Sequence, residues 1–393
     1  MKLRLALLFG GKSVEHEVSV ISALQAMQNL DTEKYDITPV YLTKKNVMYT
    51  GGRVGEIDAY KDINSLLAGA EESYMINEDG EVVIKSVKTK MFGKEKRTVI
   101  DCVLPVVHGT NVEDGALQGY LKTLGVPFAG CDVTASALGM DKYYMKPVLK
   151  EAGVPLLDAG IYRLSDYAEP EKLLETVEKR FGYPVIIKPV NLGSSVGISL
   201  AKDRGALMES IDNAFLYSSR ILAEHGIEKL REINCAVLGD ENDARASECE
   251  EPLHSKDILS YEDKYVHGGK DSKSSGMAGV SRKIPAEISP ELRERIRELA
   301  VTAFKALGCA GVARMDFMID EESGELYFNE INTIPGSLSF YLWEPLGLSY
   351  KELLDELVNL AMKRARAEEE INYSFDTNIL NSASFGSKGG SKR

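Results

Sequence analysis

The sequence predicts an α/β protein of several domains, and three observations carry that expectation. Residues 3–9 read as a buried strand, apolar from Leu5 to Phe9, that leads through Gly10-Gly11 into a helical stretch over 14–29. Between residues 160 and 215 strand-like and helix-like stretches alternate. Two runs of period-2 alternation, 314–320 and 326–332, flank the turn signal Glu321-Glu322-Ser323-Gly324. A length of 393 residues suits two to three domains, and 44% hydrophobic with 27% charged residues is ordinary globular composition. The net charge of -13 argues against a general binder of nucleic acid or membrane surfaces, so an anionic ligand has to be met by a local cluster of Lys and Arg. The five cysteines (Cys102, Cys131, Cys235, Cys249, Cys309) are widely spaced and contain no CxxC, which fits reduced thiols. The opening MKLRLALLFGG has too short an apolar run for a signal peptide, and no segment approaches the ~18 apolar residues of a membrane span. A cytoplasmic protein is expected.

Taken in order, residues 3–9 form a buried strand, Gly10-Gly11 a tight turn and 14–29 a helix, with 37–42 as the second strand. Glu15 and Glu17 sit in the first helical turn, where the helix dipole alone favours acids; the functional alternative is a carboxylate at a strand's carboxyl end. Residues 51–97 are polar and turn-rich, with a weak hairpin. A second buried strand ends in His108-Gly109, a place where a site residue competes with a core one, and TNVEDG leads into a helix over 116–124. Residues 134–152 are mostly helical, carry Asp141-Lys142 and are expected to bend or restart at Pro147. The next region reads strand 160–163, helix 169–181, strand 184–188, strand 196–200 and helix 204–215. Between its middle strands lies Lys188-Pro189-Val190-Asn191-Leu192-Gly193-Ser194-Ser195-Val196-Gly197. This is either a simple Gly-Ser turn or a flap whose amides wrap phosphate oxygens beside the Lys188 charge; it lacks the GK[ST] of a Walker loop. Residues 221–225 and 233–238 look like strands. The long polar stretch 259–279, with Lys264-Tyr265 and four glycines, is expected to be a lid. Helices are expected over 290–307 and 350–367, and the end, from about Tyr373, has the composition of disorder.

The hairpin at 314–332 is the most telling stretch. With its turn centred on Ser323, Asp316 faces Glu330 and Arg314 faces Asn332, while Met315, Phe317, Ile319, Tyr327 and Ile331 share the opposite face with Asn329 as a polar intruder. Like charges directly opposite are destabilising, so Asp316 and Glu330 ask for a cation, which Arg314 supplies in part. Two carboxylates and an amide are hard oxygen ligands suited to Mg2+ or Mn2+ held partly by phosphates. A solvated acidic sheet face is the alternative.

Together, Glu15, HGTNVEDG, MDK, IIKP with LGSSVG, AEHGI, EDKY, ARMDF and NEINTIPG closely resemble the D-alanine:D-alanine ligases of the ATP-grasp superfamily, clostridial type, over residues 3–372. The resemblance implies an ATP-grasp fold of three domains: a Rossmann-like substrate domain over 1–135, a central ATP-grasp domain over 136–217 and a C-terminal catalytic domain over 218–372, with 373–393 a disordered tail. It implies D-alanine and ATP as substrates, Mg2+ or Mn2+ as a pair of ions, no nucleic acid or membrane partner, a homodimer, and a place in peptidoglycan precursor synthesis. Among implied site residues, Lys142, Lys188 and Lys264 meet the ATP phosphates, Glu224 and the Ile227 backbone read adenine, and Glu232 takes the ribose hydroxyls. Asp316, Glu330 and Asn332 hold the metal ions. Arg314 and the Gly336 amide face the tetrahedral intermediate. Glu15 binds the first ammonium in a network with Ser194 and Tyr265, His108 lines the same pocket, and Tyr341 and Leu342 bind the second substrate. Three departures stand out: Val112 replaces the second glycine of HGxxGEDG, the Glu224 to Glu232 interval is one residue longer, and Tyr341 stands where many members have a serine. Ligases that use D-lactate or D-serine as acceptor are the nearest rivals, and Tyr265 favours D-alanine over D-lactate; a silent nucleotide-binding module is the rival from another class.

Overall fold

The computed structural model describes residues 1–88, 97–253 and 282–373. The expected lid at 259–279, with Lys264 and Tyr265, and the tail from 374 onward lie outside these residues.

β1 (Leu3–Gly10) is buried over its last six residues because it is flanked by parallel neighbours on both sides, and such strands read as unbroken apolar runs. The Gly10-Gly11 turn passes it directly into α1 (His16–Asn29). β2 (Tyr35–Leu42), β3 (Met48–Thr50), α2 (Ile63–Gly69), β4 (Glu71–Glu78), β5 (Glu81–Ser86), β6 (Arg97–Ile100) and β7 (Cys102–Val107) follow. Their seven-stranded sheet has the order β6-β5-β4-β3-β2-β1-β7. The expected weak hairpin is the antiparallel β4–β5 pair, turning at Asp79-Gly80.

After α3 (Ala116–Leu124) come α4 (Val133–Met140) and α5 (Met145–Glu151). The helix expected over 134–152 breaks at Asp141 rather than Pro147. The Asp141 carboxylate accepts from the N–H groups of Tyr143 and Tyr144, and Pro147 sits in the first turn of α5, where a missing N–H has no helical partner to lose.

A four-stranded antiparallel sheet of order β10-β9-β11-β8 comes next, built from β8 (Ala159–Arg163), β9 (Val185–Pro189), β10 (Ser199–Ala201) and β11 (Arg220–His225). α6 (Pro170–Phe181) and α7 (Arg204–Phe215) cover it around Val177, Ile187, Leu207, Ile211 and Ile221. Because β11 pairs with both β8 and β9, this sheet runs through His225, past the boundary expected at 217.

The last sheet has the order β14-β13-β12-β15-β16. Its strands are β12 (Leu230–Gly239), β13 (Ala244–Pro252), β14 (Arg282–Lys283), β15 (Gly311–Asp320) and β16 (Leu326–Asn332). α8 (Pro290–Ala306) packs Ile296, Ala300 and Phe304 into a core with Phe317 and Phe328, and α9 (Tyr350–Glu369) adds Leu353, Leu354 and Leu357 to the core of the seven-stranded sheet, the first core in chain order. Asp316 stands opposite Glu330 and Arg314 opposite Asn332, the expected register. A bulge then shifts the pairing, so that Phe328 opposes Phe317 and Tyr327 opposes Met318. Phe328 is therefore the core residue and Tyr327 is only half-buried, the reverse of the simple alternation; one extra residue flips every side chain beyond it. All five cysteines are free and buried, and among the described residues no helix is long and apolar enough to cross a membrane.

Candidate active site

A cleft of about 590 Å³ opens over the last sheet, bordered by residues of that sheet, of the four-stranded sheet, and of α1 and the loops that follow β1 and β7. Pairing register builds its floor. Glu250 of β13, Asn234 of β12, Asp316 of β15 and Glu330 of β16 stand opposite one another in a single row across four strands. At roughly 4.8 Å per strand, the row spans about 14 Å.

At the β15–β16 end of the row, Arg314 grips Asp316 with two bonds of 2.7 Å, and Asn332 Nδ2 donates to Asp316 Oδ2 at 3.1 Å. Lys142 Nζ stands 3.0 Å from Glu330. Burial pushes the Asp316 carboxyl up, against the pull of Arg314. Burial also opposes the Arg314 charge, but Asp316 outweighs it and holds the guanidinium well above its ordinary value. Two carboxylates and an amide oxygen, all on the cleft side of one hairpin, fit a magnesium or manganese site, and the cations now beside them show the charge such a site has to balance.

Lys188, at the end of β9, reaches Glu224 at 2.8 Å and Asn329 Oδ1 at 3.0 Å. Asn329 points into the cleft because the bulge turns it there. Lys142 Nζ also donates to the Leu192 carbonyl at 2.7 Å, which ties the glycine-serine loop to α4 and α5. Ile227 and Glu232 border this end of the cleft, with His225 and Lys202 beside them. Glu224 does not border it. This residue is 2% exposed and held between Lys188 and Lys146, the latter at 2.6 Å; burial opposes its charge, but the two lysines keep its carboxyl below the ordinary value. The structure thus places Glu224 behind Lys188, as its counter-charge.

At the opposite end, the Ser194 hydroxyl donates to Glu15. Ser194 and Ser195 both have positive φ, and this conformation turns the loop over the cleft. Gly109, at φ +82, lies so close that an added Cβ would come within 2.8 Å of the Glu15 carboxylate, so this position needs glycine. His108 is buried: its Nδ1 donates to the Ile334 carbonyl at 2.8 Å and its Nε2 accepts from Ser22, whose oxygen in turn accepts from the Ser337 N–H. Glu113 accepts from Gly109 N–H at 2.9 Å, Ile334 N–H at 2.8 Å and the Thr333 hydroxyl. Together these bonds lock the loop after β7 to the loop after β16, where Gly336 borders the cleft. Val112 has ordinary backbone and covers Gly11.

Tyr341 and Leu342 lie in the first core, 8% and 0% exposed, and neither borders the cleft. Tyr341 touches it indirectly, through a hydroxyl 3.3 Å from Glu250. Sequence reasoning assigned no role to Glu113, Lys146, Lys202, Asn234, Glu250 or Arg282. Asn329 it noticed only as a polar residue on an apolar face, and that was the one available signal for the bulge.

Two family models match in tandem: "D-ala D-ala ligase N-terminus" over residues 4–131 and "D-ala D-ala ligase C-terminus" over residues 148–359. The chain belongs to the D-alanine–D-alanine ligase family. Relatives named D-alanine–D-alanine ligase include one from Thermosipho melanesiensis, 37% identical over 96% of this chain and 98% of that protein. Another, from Caldicellulosiruptor bescii, is 40% identical over 95% of this chain and 99% of its own. Among solved structures, the D-alanine–D-alanine ligase of Coxiella burnetii matches with a TM-score of 0.76 at 30% identity, covering 94% of this chain and 96% of that one. The VanG D-Ala:D-Ser ligase of Enterococcus faecalis matches with a TM-score of 0.74 at 31% identity, covering 92% and 100%. The fold is the three-domain ATP-grasp fold, and the protein is an ATP-dependent ligase of this family that uses ATP and Mg2+.

Proposed function

We propose that the cleft joins two D-alanine molecules at the expense of ATP, with the roles set out here for its residues. The observation that carries this reading is the placement of Glu15-Ser194 and Arg314-Asp316-Glu330-Asn332 around one cleft, an anion for an ammonium facing a cation and oxygen ligands for phosphate chemistry. Lys188, with Glu224 as its partner, and Lys142 meet the phosphates. Ile227 and Glu232 border the nucleotide end. Lys264 and Tyr265 belong to the same proposal through the family resemblance.

Glu15 fixes the first D-alanine by its ammonium and aims its carboxylate at the γ-phosphate. A carboxylate oxygen bonds to that phosphorus as the β–γ bridge breaks, giving an acyl phosphate and ADP. The second D-alanine, its ammonium having released a proton, then attacks the acyl carbon as the free amine, and inorganic phosphate leaves with the C–O electron pair and takes up the proton that the new amide nitrogen loses. Arg314, held by Asp316, and the Gly336 N–H, on the loop that the His108 and Glu113 bonds fasten, face the oxyanion of that step. Asp316, Glu330 and Asn332 would hold Mg2+, which supplies charge neutralisation on the phosphates when bound.

The same proposal covers three units, with the central one extended to His225, a homodimer, and a reduced cytoplasmic setting that the five free thiols support. Glu330→Gln tests the core of it. Removing one oxygen ligand should lower kcat by at least ~100-fold while the melting temperature changes little. Near-normal dipeptide synthesis at saturating ATP and Mg2+ would remove Glu330 from the metal site, and sedimentation of the purified protein checks the dimer.

A further inference from the structure

A ligase that uses the same amino acid twice must hold two carboxylates and two ammonium groups, and only one of the carboxylates reacts. Glu15 and Arg314 account for the donor. The acceptor's carboxylate survives the reaction, and burying it without a cation would be costly. Among the described residues bordering the cleft, the arginines are Arg314 and Arg282.

Arg282 opens β14. Its Nη1 stands 3.0 Å from Glu250 Oε2, its guanidinium lies 4.0 Å from the centre of the Tyr341 ring, and its side chain is 11% exposed. Glu250 is held from the other side: Asn234 Nδ2 donates to its Oε1 at 3.0 Å, and the Tyr341 hydroxyl lies 3.3 Å from the same oxygen. The result is a rigid, nearly dry ion pair on the cleft wall. Its place is set by the floor row, since Glu250 faces Asn234 and Asn234 faces Asp316, which puts the pair two strands from the nearest metal ligand. Glu250 and Tyr341 also reinforce the charge of Arg314, so the pair lies within electrostatic reach of the reaction centre.

We propose that the Arg282–Glu250 pair is the acceptor subsite, taking the carboxylate of the second amino acid on Arg282 and its ammonium against Glu250. A zwitterion carries opposite charges on neighbouring atoms, and laid antiparallel to a guanidinium–carboxylate pair it meets an opposite charge at each end. The guanidinium fork suits a carboxylate better than an ammonium does. Tyr341 acts as a positioning residue, a flat support beneath Arg282 and a donor to Glu250, and so serves the acceptor without bordering the cleft. Glu250 also gives a reason for preferring an amine acceptor over a hydroxyl acid, which has no cation to offer it.

This inference rests on the donor placement proposed above, and the test separates the two. With the full-length enzyme, ATP and Mg2+, dipeptide synthesis is compared with hydroxamate formation from D-alanine and hydroxylamine, an acceptor without a carboxylate. Arg282→Gln should raise KM for the acceptor D-alanine about 10- to 100-fold, the range for a lost charged hydrogen bond. Hydroxamate formation should fall by less than about threefold. Arg282→Lys, which keeps the charge and loses the fork, should recover part of the loss; if Arg282→Gln lowers the melting temperature, the same comparison on Arg282→Lys decides. Glu250→Gln should raise the share of ester over dipeptide when D-lactate and D-alanine compete. Parallel loss of dipeptide and hydroxamate, or an acceptor KM unchanged in the arginine variants, overturns the subsite. Failure of the donor reading shows itself differently, as hydroxamate formation that survives Glu15→Gln.

Discussion

Glu113 and His108 sit in one hydrogen-bonded junction with opposite protonation preferences. Burial, and then the charge of Glu15, pushes the Glu113 carboxyl from 4.5 up to about 7, against the donors that hold it. Burial pushes His108 from 6.5 down to about 4, against the Ile334 carbonyl and with help from Arg314. A raised folded pKa means that the Glu113 contribution to stability is complete below 4.5 and lost as pH rises through 7. A lowered one means that the His108 contribution is complete above 6.5 and lost as pH falls through 4. Across the shared window the two slopes oppose each other, each with a span of order 3 kcal/mol. The unmodified protein should therefore show little pH dependence from this junction, whereas Glu113→Gln leaves the histidine slope unopposed. The variant's stability relative to the unmodified protein should improve by about 3 kcal/mol between pH 4.5 and pH 7.5. Gln also places an amide N–H against the Gly109 N–H, a constant offset that the pH comparison removes. Denaturant midpoints at the two pH values check this, and equal differences at both would mean that Glu113 is ionised throughout.

The β15–β16 hairpin shows what alternation can and cannot deliver. Before the bulge, the polar face was readable from spacing, because Arg314, Asp316, Glu330 and Asn332 fall on one side in any regular hairpin. Past it, Phe328 takes the core place that alternation assigns to Tyr327. Phe328→Ala should thus cost about 3–5 kcal/mol by leaving a cavity against Phe317, and Tyr327→Ala about 1 kcal/mol or less. Chemical denaturation of both variants checks the order, and a reversal would mean a hairpin without the bulge. The strand that carries Glu250 was missed for a related reason. ARASECEEP offers no alternation of large apolar residues, since β13 buries Ala246, Ser247, Cys249 and Glu250, so its pairing comes from β12 and not from its own pattern. The break before Lys142 was assigned to Pro147 because a proline is visible in a sequence, whereas an Asp141 side chain folding back on two amides is not. Glu224 was legible as a site residue but not as one that faces the lysines from behind, because depth within a sheet leaves no periodic trace.

Among the described residues, three cores divide the molecule unevenly. One apolar cluster joins the seven-stranded sheet to α9 and to Ala236, Leu238 and Val312 of the last sheet, so the first and last units share buried surface. The four-stranded sheet keeps a small core of its own around Ile187, Leu207 and Ile221. Polar links carry much of its attachment: Ser194 to Glu15, Lys188 to Asn329, Lys146 to Glu224, Arg220 to Asp141 and Lys142 to the Leu192 carbonyl. Bonds of this kind let a unit separate at less cost than a shared apolar core does, and a nucleotide held across that joint makes separation harder. Amides of β9 and β11 should therefore exchange faster than those of β1 in the free protein, through an opening that leaves the other sheets intact. ATP with Mg2+ at 100 times its Kd adds about 2.7 kcal/mol to any opening that destroys its site, a roughly 100-fold slowing of exchange. Hydrogen exchange read by mass on peptides from β9, β11 and β1 tests both statements. Equal rates in all three strands of the free protein would mean that the four-stranded sheet opens only when the whole molecule unfolds, and that substrates enter without its movement.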